Sequence, residues 1–156
     1  MPNIDTGFGT KAEFTKTLAS LADGASWATA AVNFTTGDAI DVFIFVQTTG
    51  QASGTDFVFV YAYASMDNTD AEYTDGATGS SASFTTANIL NSPLVGTVAM
   101  NATTAVKAGP WSLASAMGGL IPARAGLIVN NESAAALSAT EGDHVLEYMP
   151  VYVLSA

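Results

Sequence analysis

The sequence predicts an all-β protein, a β-sandwich of the jelly-roll type with about eight short strands and at most one short helical turn. Three observations lead there. Residues 39–48 and 56–65 are dense in β-branched and aromatic side chains, and the second segment alternates with strict period two. No stretch keeps a helical period for more than one or two turns. Gly, Thr, Asn and Ser clusters punctuate the chain at short intervals, as they do between the strands of sandwiches and barrels.

Taken in order, residues 1–14 are polar, broken by Gly7 and Gly9, and read as an extended N-terminal arm, with 15–156 forming one sandwich domain. The arm is expected to order on meeting a neighbouring subunit. Residues 15–22 place Leu18 and Leu21 at helical spacing, but Thr15, Thr17 and Ser20 are weak helix formers and favour a strand. Asp23-Gly24 supplies a turn. Residues 25–34 carry Trp27, Val32 and Phe34 in loose alternation before the Thr36-Gly37-Asp38 break. Residues 39–48 are almost continuously apolar, which implies that both faces of that strand are covered. In residues 56–65, Phe57, Phe59, Tyr61 and Tyr63 share one face, and Val58, Val60, Ala62 and Ala64 the other. With the 49–55 loop between them, the two strands read as an antiparallel hairpin.

Residues 66–86 lack a pattern and are long for a connection, so they read as functional or mobile. Strands follow at 93–100 and 105–113, the second bent by Gly109-Pro110. Residues 112–117 can make one helical turn, stopped by Gly118-Gly119. Strands at 125–130 and 145–154 complete the series, and Pro150 marks an edge or a bulge in the last. Phe43, Phe45, Phe57, Phe59, Trp111, Leu127 and Val129 are the expected core.

Composition narrows the function. Fourteen acidic residues against four basic ones give a net charge of −10, so four scattered cations meet no phosphate track and nucleic acid is excluded as a partner. The longest apolar runs fall far short of the roughly 20 residues of a membrane helix, and the first residues do not resemble a secretory signal. No membrane partner is expected, and synthesis in a cytoplasm is. With no cysteine in the chain, disulfides, thiolate metal sites and cysteine nucleophiles drop out.

Reactive constellations are sparse. His144 is the sole histidine, and its neighbour Asp143 would point to the opposite face of a strand, so a Ser-His-Asp relay does not assemble. A histidine bonded to backbone at a strand edge is expected instead. The acidic loop with Asp67, Asn68, Asp70, Glu72 and Asp75 is the one place where carboxylates could gather around calcium, with Asp67, Asp70, Glu72 and Asp75 as ligands. The loop lacks the glycine and closing glutamate of an EF-hand, and a solvated loop is the plainer expectation. Glu141 and Asp143 form a second acidic pair, without the opposed placement that glycoside hydrolysis needs. No catalytic residue and no other cofactor is assigned, and an enzyme is not expected.

The run Gly109-Pro110-Trp111-Ser112-Leu113-Ala114-Ser115-Ala116-Met117-Gly118-Gly119-Leu120-Ile121-Pro122 leads into Ala125-Gly126-Leu127-Ile128-Val129-Asn130-Asn131. Leu137-Ser138-Ala139-Thr140, His144-Val145 and a closing Pro150-Val151-Tyr152 follow. Over about residues 40–155 the chain resembles small structural proteins of tailed-bacteriophage virions. That resemblance implies a non-enzymatic virion component located in the particle, in particular a capsid decoration or cement protein on the outer head surface. Its implied partners are the major capsid protein or other virion proteins, together with further copies of itself as a homo-oligomer. The alternative is a tail-fibre or baseplate module that binds host-surface glycans.

Overall fold

The computed structural model describes residues 4–35, 39–50, 56–67, 72–100 and 103–155. The break at 36–38, the body of the 49–55 loop, and Asn68 and Asp70 of the acidic loop lie outside the described residues. The described chain is nearly all β: β1 (Ile4–Phe8), β2 (Ala12–Glu13), β3 (Ser26–Ala28), β4 (Val32–Asn33), β5 (Ala39–Thr48), β6 (Phe57–Ser65), β7 (Ala82–Phe84), β8 (Leu94–Ala99), β9 (Val106–Ser112), β10 (Arg124–Glu132) and β11 (Val145–Ser155). One α-helical turn, α1 (Leu113–Ala116), interrupts the series, as do 3-10 turns at Thr74–Gly76, Thr86–Asn88 and Glu141–Asp143.

These strands form two antiparallel sheets packed face to face. Sheet I runs β1-β11-β5-β9, with β2 also on β11; sheet II runs β7-β3-β10-β6-β8, with β4 also on β10. If β1–β2 and β3–β4 each count as one interrupted strand and β7 as an addition, four strands remain in each sheet. Counted so, the chain changes sheet at every connection except the one from β6 to β8.

Residues 39–48 and 56–65 do form strands, but not a hairpin with one another. β5 pairs with β11 and β9 in sheet I, while β6 pairs with β10 and β8 in sheet II. A long connection carries the chain from one sheet to the other, and alternation within a strand carries no information about its partner. Residues 15–22 are not a strand either. They make a strap that buries Leu18 and Leu21 while turning at Ser20, whose φ is 59°. Their 3–4 spacing reflects one tight turn, closed by Leu21 N–H donating to the Leu18 carbonyl at 3.0 Å.

The N-terminal segment is tied within its own chain. β1 lies along β11 with Ile4 opposite Ser155, β2 pairs Glu13 with Glu147, and Phe14 is buried beyond it. Pro150 sits inside sheet I rather than at an edge. On one side of β11 it falls in the gap between the β2 and β1 pairings, where Gly9 N–H donates to its carbonyl at 2.8 Å, and a register shift follows at Val151/Tyr152. The missing N–H therefore costs little. α1 begins on Ser112, whose hydroxyl accepts from Ser115 N–H at 2.9 Å, and ends in Gly118 and Gly119, whose φ values are 80° and 98°.

The core between the sheets is mainly aliphatic, with Phe14 and Phe34 as its buried aromatic rings. Val42, Ile44, Val46 and Leu146 of sheet I meet Val58, Val60, Ala62, Leu127 and Val129 of sheet II. Phe14, Leu18, Leu113 and Leu137 are buried with them in the same cluster. Trp111 packs half-buried against this core with its indole on Gly96, where any Cβ would collide with the ring. Leu127 and Val129 are core, as expected. Phe43, Phe45, Phe57 and Phe59 are not: alternation turns each of them outward.

Candidate functional site

The outward aromatics are the main surface feature, and their position follows from strand parity. On β5, Phe43 and Phe45 share their face with Asp41 and Gln47, while Val42, Ile44, Val46 and Thr48 are buried. Polar residues at both ends mark that face as the wetter one. Met149 lies opposite Phe43, Glu147 lies opposite Phe45, and Phe8 of β1 approaches Phe43 at a centroid distance of 6.1 Å. Phe8 remains 63% exposed. A shallow cavity of about 210 Å³ opens beside Phe45 between Gln47, Lys107, Val145 and Glu147. The Glu147 carboxylate is held by Lys11 at 2.8 Å, so the middle of this face carries compensated charge.

On sheet II the outer face divides into a covered half and an open half. The covered half lies under residues 72–92, which take in most of the patternless 66–86 segment and pack Tyr73, Ala77 and Ile89 onto Tyr63, Ala28 and Ile128 as a second small core. Tyr63 donates its hydroxyl to the Thr29 carbonyl at 2.5 Å, and burial pushes its phenol above its usual value. This flap is pinned by Asp75, whose carboxylate accepts from the backbone N–H groups of Leu90, Asn91 and Ser92 at 2.7–3.1 Å, and from the Asn91 side chain at 2.9 Å. Partial burial works against the charged form, but these hydrogen bonds outweigh it and hold Asp75 below the usual carboxylate range.

The open half is a row of rings on β6. Phe57 and Phe59 stand 6.1 Å apart, Phe59 and Tyr61 6.4 Å apart, and Phe57 is 44% exposed. Ala99 and Thr97 of β8 lie opposite Phe57 and Phe59 on one side, so little rises beside the rings there. On the other side Glu132 lies opposite Phe57 and Asn130 opposite Phe59, with Asn130 Nδ2 donating to Glu132 at 3.1 Å.

Of the four carboxylates expected around calcium, three belong to described residues and one does not. Asp75 spends its oxygens on the flap, Glu72 is exposed, the backbone N–H of Asp67 donates to the Ser65 hydroxyl, and Asp70 lies outside the described residues. Among the described residues, no group of three or more His, Asp or Glu side chains is placed to hold a metal ion. Glu141 and Asp143 also part company. Glu141 caps the strap by accepting from Leu18 and Ala19 N–H at 2.7 Å each, and its other oxygen faces the Lys16 ammonium at 3.4 Å. The Lys16 side chain is only 6% exposed and donates to Glu13 at 2.6 Å. Asp143 accepts from the Ser138 hydroxyl at 2.6 Å.

His144 is buried, with Nε2 at 3.0 Å from the Ser138 carbonyl and Nδ1 at 3.0 Å from the Thr48 hydroxyl. A carbonyl only accepts, so Nε2 carries a proton and the ring ties the 138–144 loop to β5. The backbone-bonded histidine expected from the sequence is therefore what stands there. Trp27 packs half-buried against the core, with its indole N–H donating to Ser81 at 2.9 Å.

The outer aromatic rows are the feature that reading the sequence misplaced. Asp41 and Gln47 carried the signal for β5. For β6 the signal lay in Asn130 and Glu132, and became readable only with the β10 register. Comparison with protein-family models, with curated proteins and with solved structures finds no match to this chain.

Proposed function

We propose that this chain is a non-enzymatic structural protein of a bacteriophage virion, a capsid decoration protein seated on the outer head surface. One observation supports it above all: Phe43, Phe45, Phe57 and Phe59 stand on the outer faces of the two sheets, while aliphatic side chains fill most of the interior around Phe14 and Phe34. Burying aromatics inside would have stabilised an isolated monomer more. Placed outside, they provide two apolar contact surfaces, one for the major capsid protein or another virion protein and one for further copies of the chain. Repeated weak contacts on a symmetric lattice gain from multivalency.

The strand order supports the jelly-roll reading. With interrupted strands counted once, four strands face four, and the chain alternates between sheets as in a pair of Greek keys. The net charge of −10 favours a position away from packaged nucleic acid. Electron microscopy of particles carrying an antibody-labelled chain tests the proposal. Label repeated over the head is expected. Label confined to the tail would favour the fibre or baseplate alternative, and no association with particles would overturn the virion reading.

A further inference from the structure

We infer that the open half of sheet II, centred on Phe57 and Phe59, docks an extended segment of a partner protein bearing arginine or lysine at alternate positions. This rests on the assembly reading above and adds the docking face and the chemistry of what it meets.

Spacing is the first support. An extended strand directs side chains to one side about every 6.8 Å, close to the 6.1 and 6.4 Å between successive rings. A segment lying along β6 could set one cationic side chain over Phe57 and the next over Phe59, each stem on the aromatic edge and each charge over the π face. The small side chains of Ala99 and Thr97 leave room for it, and the flap limits it to the β6–β8 side.

Charge is the second support. At the Phe57 end, Glu132 lies directly opposite in the register and so on the same face. The four cations of the chain stand elsewhere. Lys11 and Lys16 are in ion pairs with glutamates, Lys107 is on β9 of sheet I, and Arg124 is at the far end of β10 opposite Ser65. An anionic partner would meet repulsion there, and a neutral one would gain stacking alone. A cationic segment gains both stacking and attraction, the arrangement that steers association.

The test titrates the full chain with three probes: a blocked Arg-Thr-Arg-Thr-Arg peptide, its Glu-Thr counterpart, and a neutral gluco-oligosaccharide. Binding is followed by calorimetry and by amide shifts. The arginine peptide is expected to bind alone, to shift β6 and β8 resonances, and to weaken with salt. Phe57→Ala with Phe59→Ala should weaken it about 10-fold or more, Glu132→Gln about 3-fold, and Lys107→Ala not at all. Unchanged melting of Glu132→Gln keeps the test independent of folding. Equal binding of the glutamate peptide, preference for the oligosaccharide, or full binding by the double variant would overturn the docking inference. Particle labelling separates the two proposals. Virion association that ignores the double variant removes this face and leaves the assembly reading, whereas peptide binding without particle association does the reverse.

Discussion

Phe57 and Leu127 illustrate what strand parity decides for a single side chain. Leu127 is buried between the sheets opposite Ala62, whereas Phe57 is turned outward next to Asp56. Leu127→Ala should therefore cost about 2–5 kcal/mol through lost burial and a cavity. Phe57→Ala should stay within about 0.5 kcal/mol of the parent, as exposed positions do. Chemical denaturation of the two variants checks the order, and a larger loss at Phe57 would return the aromatic row to the core. Hydrophobicity alone ranks phenylalanine above leucine as a core residue, which is why the sequence misled here. What outweighed it is the company each residue keeps along its strand, Asp41 and Gln47 with Phe43 and Phe45 most plainly.

Among the elements, those fixed by local chemistry were legible and those fixed by distant partners were not. α1 could be read from Ser112 and the Gly118-Gly119 stop, and β5, β6, β8, β9, β10 and β11 from composition and turns. The pairing of β5 and β6 could not, because their partners lie as far on as Tyr152, which pairs with Ala39. The strap at residues 15–22 depends on Glu141, more than a hundred residues on, for two of its backbone hydrogen bonds. The flap over sheet II is similar, since Asp75 finds its donors at residues 90–92. Its pH behaviour follows from the direction of the shift. A carboxylate held below its unfolded value contributes fully above that value, about 3.9 for Asp, and the contribution is lost as pH falls through the folded value. Hydrogen-exchange protection of the Leu90, Asn91 and Ser92 amides should thus be retained near neutrality and lost on strong acidification, earlier than protection in β10. Asp75→Asn should lose protection already at neutral pH, and equal protection in that variant would show that the flap is held by Tyr73 and Ala77 packing instead.

At the scale of the whole molecule, two apolar outer faces are set against a net charge of −10. Mutual repulsion keeps copies apart at neutral pH and low salt, and both acid and salt weaken it. Sedimentation velocity should therefore show growing self-association as pH falls toward the isoelectric point near 4.1, or as salt is raised at pH 7. Phe43→Ser combined with Phe45→Ser should reduce it, because those rings lie at the centre of the face where Lys11 already neutralises Glu147. Association that persists unchanged in that variant would assign the contact to another surface. The acidic balance was legible from composition, but the site of self-contact needed the register of β11 against β5.

The two tryptophans give this sandwich a pair of independent optical gauges. The Trp111 indole rests on Gly96 of the opposite sheet, so its emission registers any parting of the two layers. The Trp27 N–H is bound to Ser81, one residue before β7, and its emission registers lifting of the segment that runs over sheet II. Replacing one indole at a time by phenylalanine would let steady-state fluorescence distinguish the molecule coming apart from its cover coming loose.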